Sequence, residues 1–418
     1  MRFLTGLSVV LWVAFPDFAR AYSVLTHEAI VDTVWLDSMR PVLLKRFPDA
    51  TEDQLKQAHA YAYGGCIIQD LGYYPFGSKL FSDLVHYVRS GDFVAALLRE
   101  AADADQYAFA LGGLAHYAAD NNGHPLAVNV SVPLLFPKLR RKYGDSITYA
   151  ENPAAHLKTE FGFDVVQLAK GHYASKAYHD FIGFQVSKPL LERAFHETYS
   201  LEIKDVCRDL DLSLGTYRYS VSSVIPTMTK AAWAAKKDEI VRDMPGMTRR
   251  KYIYNISRAS YNKEWGNKYE RPGIFARFLA FIFRVIPKIG PFRTLAFKPP
   301  TPETELLFMK SFNVTLDRYR ALVDEVKNNQ LQFVNENLDV GKPTRAGGYS
   351  MADKAYARLL DKLASNQFNG VTPELRTNIL SYYADLNAPI ETKKDKAEWK
   401  KVLDALNTLK SAAPGATE

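Results

Sequence analysis

His116, Asp120 and His124 follow one another at four-residue intervals in Leu114-Ala-His-Tyr-Ala-Ala-Asp-Asn-Asn-Gly-His-Pro125. On a helix, that spacing puts His116 and Asp120 on one face, within reach of a single ion. Imidazole nitrogen and carboxylate oxygen are what a catalytic zinc ion takes from a protein. His156 and Glu160 repeat the interval in His156-Leu-Lys-Thr-Glu160. One such pair alone reads as a surface salt bridge or a helix cap. Two of them between residues 116 and 160, in a chain with nine histidines, point to bound metal. Zinc lowers the pKa of bound water to near neutrality, so the chemistry to expect from such ions is metal-assisted hydrolysis.

The elements that must hold these groups read as helices. Residues 52–63, 92–120, 154–170, 185–200, 303–334, 351–365, 373–387 and 393–411 carry apolar side chains at three- and four-residue spacing. Ser131 to Phe136 is the one short strand-like run. The fold class expected is therefore all-α. Proline and glycine clusters such as Gly64-Gly65, Gly123 to Pro125 and Pro299 to Pro302 punctuate the helices. All nine histidines precede residue 197, which divides the chain into a functional domain at about 22–200 and a helical region at 201–418.

The first 21 residues read as an export signal. Arg2 is followed by an apolar stretch from Leu4 to Phe15 and by Ala19-Arg20-Ala21, a small-x-small site. A mature chain would begin at Tyr22 and lie outside the cytoplasm, periplasmic or secreted. Across 418 residues, 47% hydrophobic and 13% aromatic content can build a sizeable core. The formal net charge of +7 favours anionic partners and does not choose between phospholipid headgroups and nucleic acid. Cys66 and Cys207 could pair in an oxidising compartment, but one bridge is no disulfide framework.

Set in order, Tyr22, His27, Asp70, His86, His116, Asp120, His124, His156 and Glu160 resemble the ligand series of the zinc-dependent phospholipase C and single-strand-specific nuclease superfamily. The resemblance covers about residues 22–165 and implies an all-helical domain with three zinc ions. It implies that Asp70, His86 and His116 hold one ion, and that His124, His156 and Glu160 hold a second. The amine and carbonyl of Tyr22 would hold a third together with His27, and Asp120 would bridge the first and third. Asp70 is also the candidate general base, although a ligand carboxylate has little basicity to spare. Removal of the signal would then complete the site, because an amide nitrogen at Tyr22 is a poor ligand. Two departures stand out: the first residue is tyrosine where the family usually has tryptophan, and His124 lies four residues beyond Asp120 where the family has six. Asn129 is a nearby substitute for His124.

The remaining features admit bland readings. His59 and His196 read as packed or surface residues, and His172 and His179 as packing in a tyrosine-rich segment. Tyr73, Tyr74 and Phe76 could form an aromatic wall beside Asp70. Residues 272–302 carry six phenylalanines and five basic residues without an acid. They suit peripheral membrane contact through a basic amphipathic helix, or a buried hairpin between domains. Residues 249–265 interleave cations with aromatics, which suits nucleic acid or a solvated helix. Three functions follow: a phospholipase C-like enzyme releasing diacylglycerol and a phosphorylated headgroup, a zinc-dependent single-strand nuclease, and a non-catalytic membrane-associated helical protein. The first is the leading expectation, with a phospholipid substrate favoured over nucleic acid.

Overall fold

Two helices with small residues at their contact form the centre of the molecule. In the computed structural model, Glu52–Ile67 and Ala104–Gly123 lie so close that a Cβ on Gly65 would stand 1.9 Å from the carbonyl oxygen of Phe109. A Cβ on Gly112 would stand 2.1 Å from the carbonyl oxygen of Ala62. Only glycine permits this approach. The structure describes residues 23–74, 76–170, 184–219, 298–330 and 332–411, with a few further positions between 233 and 249. Among these residues the fold is all-α apart from the two-residue antiparallel strands Glu336–Asn337 and Lys342–Pro343. No described helix is long and apolar enough to cross a membrane.

Local chemistry sets the helix boundaries. Thr51 and Gln54 form a reciprocal capping box at the start of Glu52–Ile67. The periodic run 92–120 is two helices, Ser90–Glu100 and Ala104–Gly123, because the Asp103 carboxylate accepts the backbone N–H of Gln106 and starts the second one afresh. Ser131 to Phe136, read from sequence as a strand-like run, belongs instead to the helix Asn129–Leu135 and its end. Pro133 inside that helix has no N–H, which leaves the carbonyl of Asn129 without its helical donor. The backbone N–H of Ile147 takes it at 2.9 Å.

One apolar core runs from Val24 to Leu409. The helix Pro302–Lys327 lies along Ala104–Gly123, where the Tyr319 hydroxyl donates to the carbonyl of Leu111 at 3.2 Å. Phe308 stacks on Phe163 with ring centroids 4.7 Å apart. Helices Ser350–Ser365, Pro373–Tyr382 and Lys396–Ser411 complete the C-terminal part. Cys66 and Cys207 are separate buried thiols. The Cys66 thiol donates to the Tyr63 carbonyl, and Cys207 lies against the Ser213 hydroxyl.

Candidate metal centre

Two histidines of the cluster, His116 and His86, are aimed by the hydrogen bond on their far side. Nδ1 of His116 lies 2.9 Å from the carbonyl of Cys66, and Nδ1 of His86 lies 2.8 Å from the carbonyl of Ser82. A carbonyl only accepts, so both Nδ1 atoms carry the proton and both Nε2 atoms present lone pairs. Those two Nε2 atoms stand 3.2 Å apart. Ser82 is itself anchored, its hydroxyl donating to the Gln69 carbonyl and accepting from Gly72 N–H at 2.8 Å. That contact ties the helix Lys79–Tyr87 to the 3-10 turn Ile68–Tyr73, which carries Asp70. Asp70 sits in this buried turn rather than in an open loop.

The carboxylates face the same point. His86 Nε2 lies 3.5 Å from Asp70 Oδ1 and 3.4 Å from Asp120 Oδ2, and His116 Nε2 lies 3.2 Å from Asp120 Oδ2. His27 Nε2 lies 3.5 Å from Asp120 Oδ1, and its ring stacks on His116 at 4.4 Å. Two compact groups result: Asp70, His86 and His116, and His27, His116 and Asp120. Tyr22 lies outside the described residues. The helix Val24–Val34 that carries His27 is held at its start by Asp164, whose carboxylate accepts the N–H groups of Leu25 and Thr26 at 3.1 Å. Sequence reading missed Asp164. Its only signal was its place four residues beyond Glu160 on the same helix face.

The donors fit zinc. Two ligands of one ion, at about 2.0–2.1 Å and tetrahedral angles, lie roughly 3.3–3.4 Å apart, which is the range of separations found here. Neither carboxylate, Asp70 or Asp120, accepts a hydrogen bond among the described residues, although both are fully buried. Buried carboxylates without such bonds are costly, so the arrangement calls for a cation. Burial, reinforced by His116, pushes His27 down to about 3. Burial also opposes a charge on His86, but the carboxylates of Asp120 and Asp70 overcome it and raise the imidazole to about 10. Burial alone would raise Asp120, yet His116 and His86 outweigh it and hold the group well below the usual carboxylate range.

The other half is more open in plan. His156 donates from Nε2 to the Ile147 carbonyl at 2.7 Å, which turns its Nδ1 lone pair toward Glu160 Oε1 at 3.2 Å. Burial, with His124 beside it, lowers His156 to about 3. The rings of His124 and His156 are 5.7 Å apart. His124 opens a wide π-turn, His124–Val128, at Pro125. Its Nε2 stays 4.0 Å from Asp120, and its Nδ1 lies 3.3 Å from Oδ1 of Asp339. The side-chain amide of Asn129 donates to the carbonyl of Asp339 at 2.8 Å. Asp339 was missed from sequence because it has no histidine at helical spacing and lies far beyond the last one.

The other candidates fall around this centre. Tyr73 meets His86 edge-on at 5.8 Å and Tyr149 meets His156 at 6.1 Å, with Lys79 within 6 Å of both tyrosine rings. Tyr74 stacks instead on Tyr217, and Phe76 is exposed. His59 pairs with Asp32 at 3.0 Å and stacks on Trp35, and the half-exposed His196 pairs with Glu202 at 3.0 Å. His172, His179, most of 249–265 and residues 272–297 lie outside the described residues. Residues 26–209 match the family model for zinc-dependent phospholipase C. No curated protein and no solved structure matched the chain.

Proposed function

We propose that this zinc-dependent phospholipase C domain, residues 26–209, hydrolyses the glycerol–phosphate bond of phospholipids at a three-zinc cluster. The products would be diacylglycerol and a phosphorylated headgroup. The observation that carries the reading is the buried meeting of His27, Asp70, His86, His116 and Asp120, whose lone pairs and carboxylates face one another. On this reading Asp70, His86 and His116 hold one ion, His27 with the Tyr22 main chain a second, and Asp120 stands between them. His124, His156 and Glu160 serve the third. When bound, zinc supplies a nucleophile from water near neutral pH and neutralises phosphoryl charge. The chain's own groups orient and select. Cys66, Ser82 and Ile147 carbonyls keep three imidazoles in the tautomer that presents a lone pair to the centre. Asp70, at the edge of the cluster, is the carboxylate placed to take a proton from the attacking water. Lys79, half-exposed over Tyr73 and Tyr149, offers a cation to an approaching phosphodiester. The chain acts outside the cytoplasm, with residues 272–302 as its membrane contact.

The test is zinc content by elemental analysis on protein whose N-terminal residue has been determined. Initial rates on phospholipid vesicles and on single-stranded DNA are then compared. About three ions on a chain starting at Tyr22, about two when one residue precedes it, and diacylglycerol release from vesicles are expected. A chain purified without chelator that holds no zinc overturns the reading, and faster cleavage of DNA than of lipid replaces it with the nuclease.

A further inference from the structure

Asp339 belongs to the C-terminal part of the chain, beyond the residues that match the family model, yet its side chain faces His124, one of the candidate ligands. Three tethers on the same short segment put it there. The Glu336 carboxylate accepts from the Tyr117 hydroxyl at 2.9 Å and from the Asn121 amide at 2.8 Å, on the helix that carries His116 and Asp120. Leu338 N–H donates to the carbonyl of His86 at 3.2 Å. The Asn129 amide holds the carbonyl of Asp339 itself.

The two oxygens of this buried carboxylate are treated differently. Oδ2 accepts hydroxyls from Tyr87, at 3.0 Å, and from Tyr349. Oδ1 faces Nδ1 of His124 at 3.3 Å, and that nitrogen, though buried, makes no hydrogen bond among the described residues. A 3.3 Å approach without hydrogen-bond geometry is the edge expected between two ligands of one ion, roughly 3.3–3.4 Å. Asp353, the comparable buried carboxylate of the same region, shows the alternative. Both of its oxygens are taken, by Gly347 N–H, the Tyr382 hydroxyl and Glu391 N–H, and no histidine lies against it. Asp353 thus has a structural role, while Asp339 keeps one oxygen for something else.

We infer that Asp339 is a further zinc ligand, joining His124 at the half of the centre that also holds His156 and Glu160. This rests on the reading above that the cluster binds zinc. A centre completed in this way takes its fourth protein donor from outside the family domain.

The experiment measures zinc per chain in the full-length protein, wild type and Asp339→Asn. The electronic spectrum of each is recorded after exchange of zinc for cobalt, which reports the ligand set independently of activity. Asn keeps the shape of the side chain and an acceptor for the tyrosines, and circular dichroism checks that the variant is folded. Should it fail to fold, Asp339→Glu, which keeps the charge and moves the oxygens, takes its place. The expected result is about one zinc ion fewer per chain, or for Glu the same count with shifted cobalt bands. Tyr349→Phe, which leaves Oδ1 in place, is expected to retain the full count. An unchanged zinc count with an unchanged cobalt spectrum in the variant overturns the assignment while leaving the zinc cluster standing. A wild-type chain without zinc removes both.

Discussion

The two halves of the buried centre are built by different means. Around Asp70, His86, His116 and Asp120, every candidate ligand but one rides on a regular helix, and the histidines are aimed by helical carbonyls, Ser82 on the helix of His86 itself and Cys66 on the neighbouring Glu52–Ile67. Around His124 and His156, the supports are irregular: a π-turn at Pro125, the carbonyl of Ile147 in a non-helical stretch, and an aspartate from a short hairpin more than two hundred residues away. The lesson is one of leverage. Helical spacing can place two donors without help, whereas a donor on a wide turn needs partners from elsewhere in the chain.

The contrast can be broken first at Asp120, which touches three histidines within 3.5 Å. Asp120→Ala is expected to lower the proposed phospholipid hydrolysis on the order of 10³-fold, since metal-based charge stabilisation contributes several kcal/mol. Zinc content should fall with it. A loss below tenfold would mean that the compact half is not where the chemistry happens. Next in size is Gly112→Ala, whose new methyl meets the Ala62 carbonyl oxygen at 2.1 Å. Forcing the central helices apart should cost about 1–3 kcal/mol, read from denaturant unfolding. It should also stretch the His116 to Cys66 contact, so unchanged stability would contradict the close approach. Smallest is Tyr349→Phe, which removes one of the two hydroxyls on Asp339. About 1 kcal/mol of stability is expected to go, because Tyr87 still donates. A much larger loss would show that the open half depends on this one hydroxyl.

Much of this was legible from residue types and spacing. Helical periodicity gave the all-α class, and the family model agrees with the resemblance drawn from the order of histidines and acids. Two kinds of feature were not legible. Asp103 starts a helix in mid-run, and Pro133 sits inside one, because hydrogen bonds from Gln106 and from Ile147 decide the outcome locally. Asp339 and Asp164 act through contacts spanning more than a hundred residues, and no periodic pattern encodes such a meeting. Asp70 was named from sequence as a candidate, but its buried 3-10 turn depends on the Ser82 hydroxyl, which donates to Gln69 and accepts from Gly72.

The hairpin around Asp339 also sets a timetable. Residues 334–341 dock on helices made long before them, so a ribosome must synthesise most of the chain before the segment can meet His86, Asn121 and His124. Until then the half of the centre nearest His124 lacks a wall. Metal retention is therefore expected to mature with chain completion: nascent chains stalled before Val334 should surrender zinc to a mild chelator faster than finished ones. Equal retention by both would show that the late-arriving hairpin closes nothing.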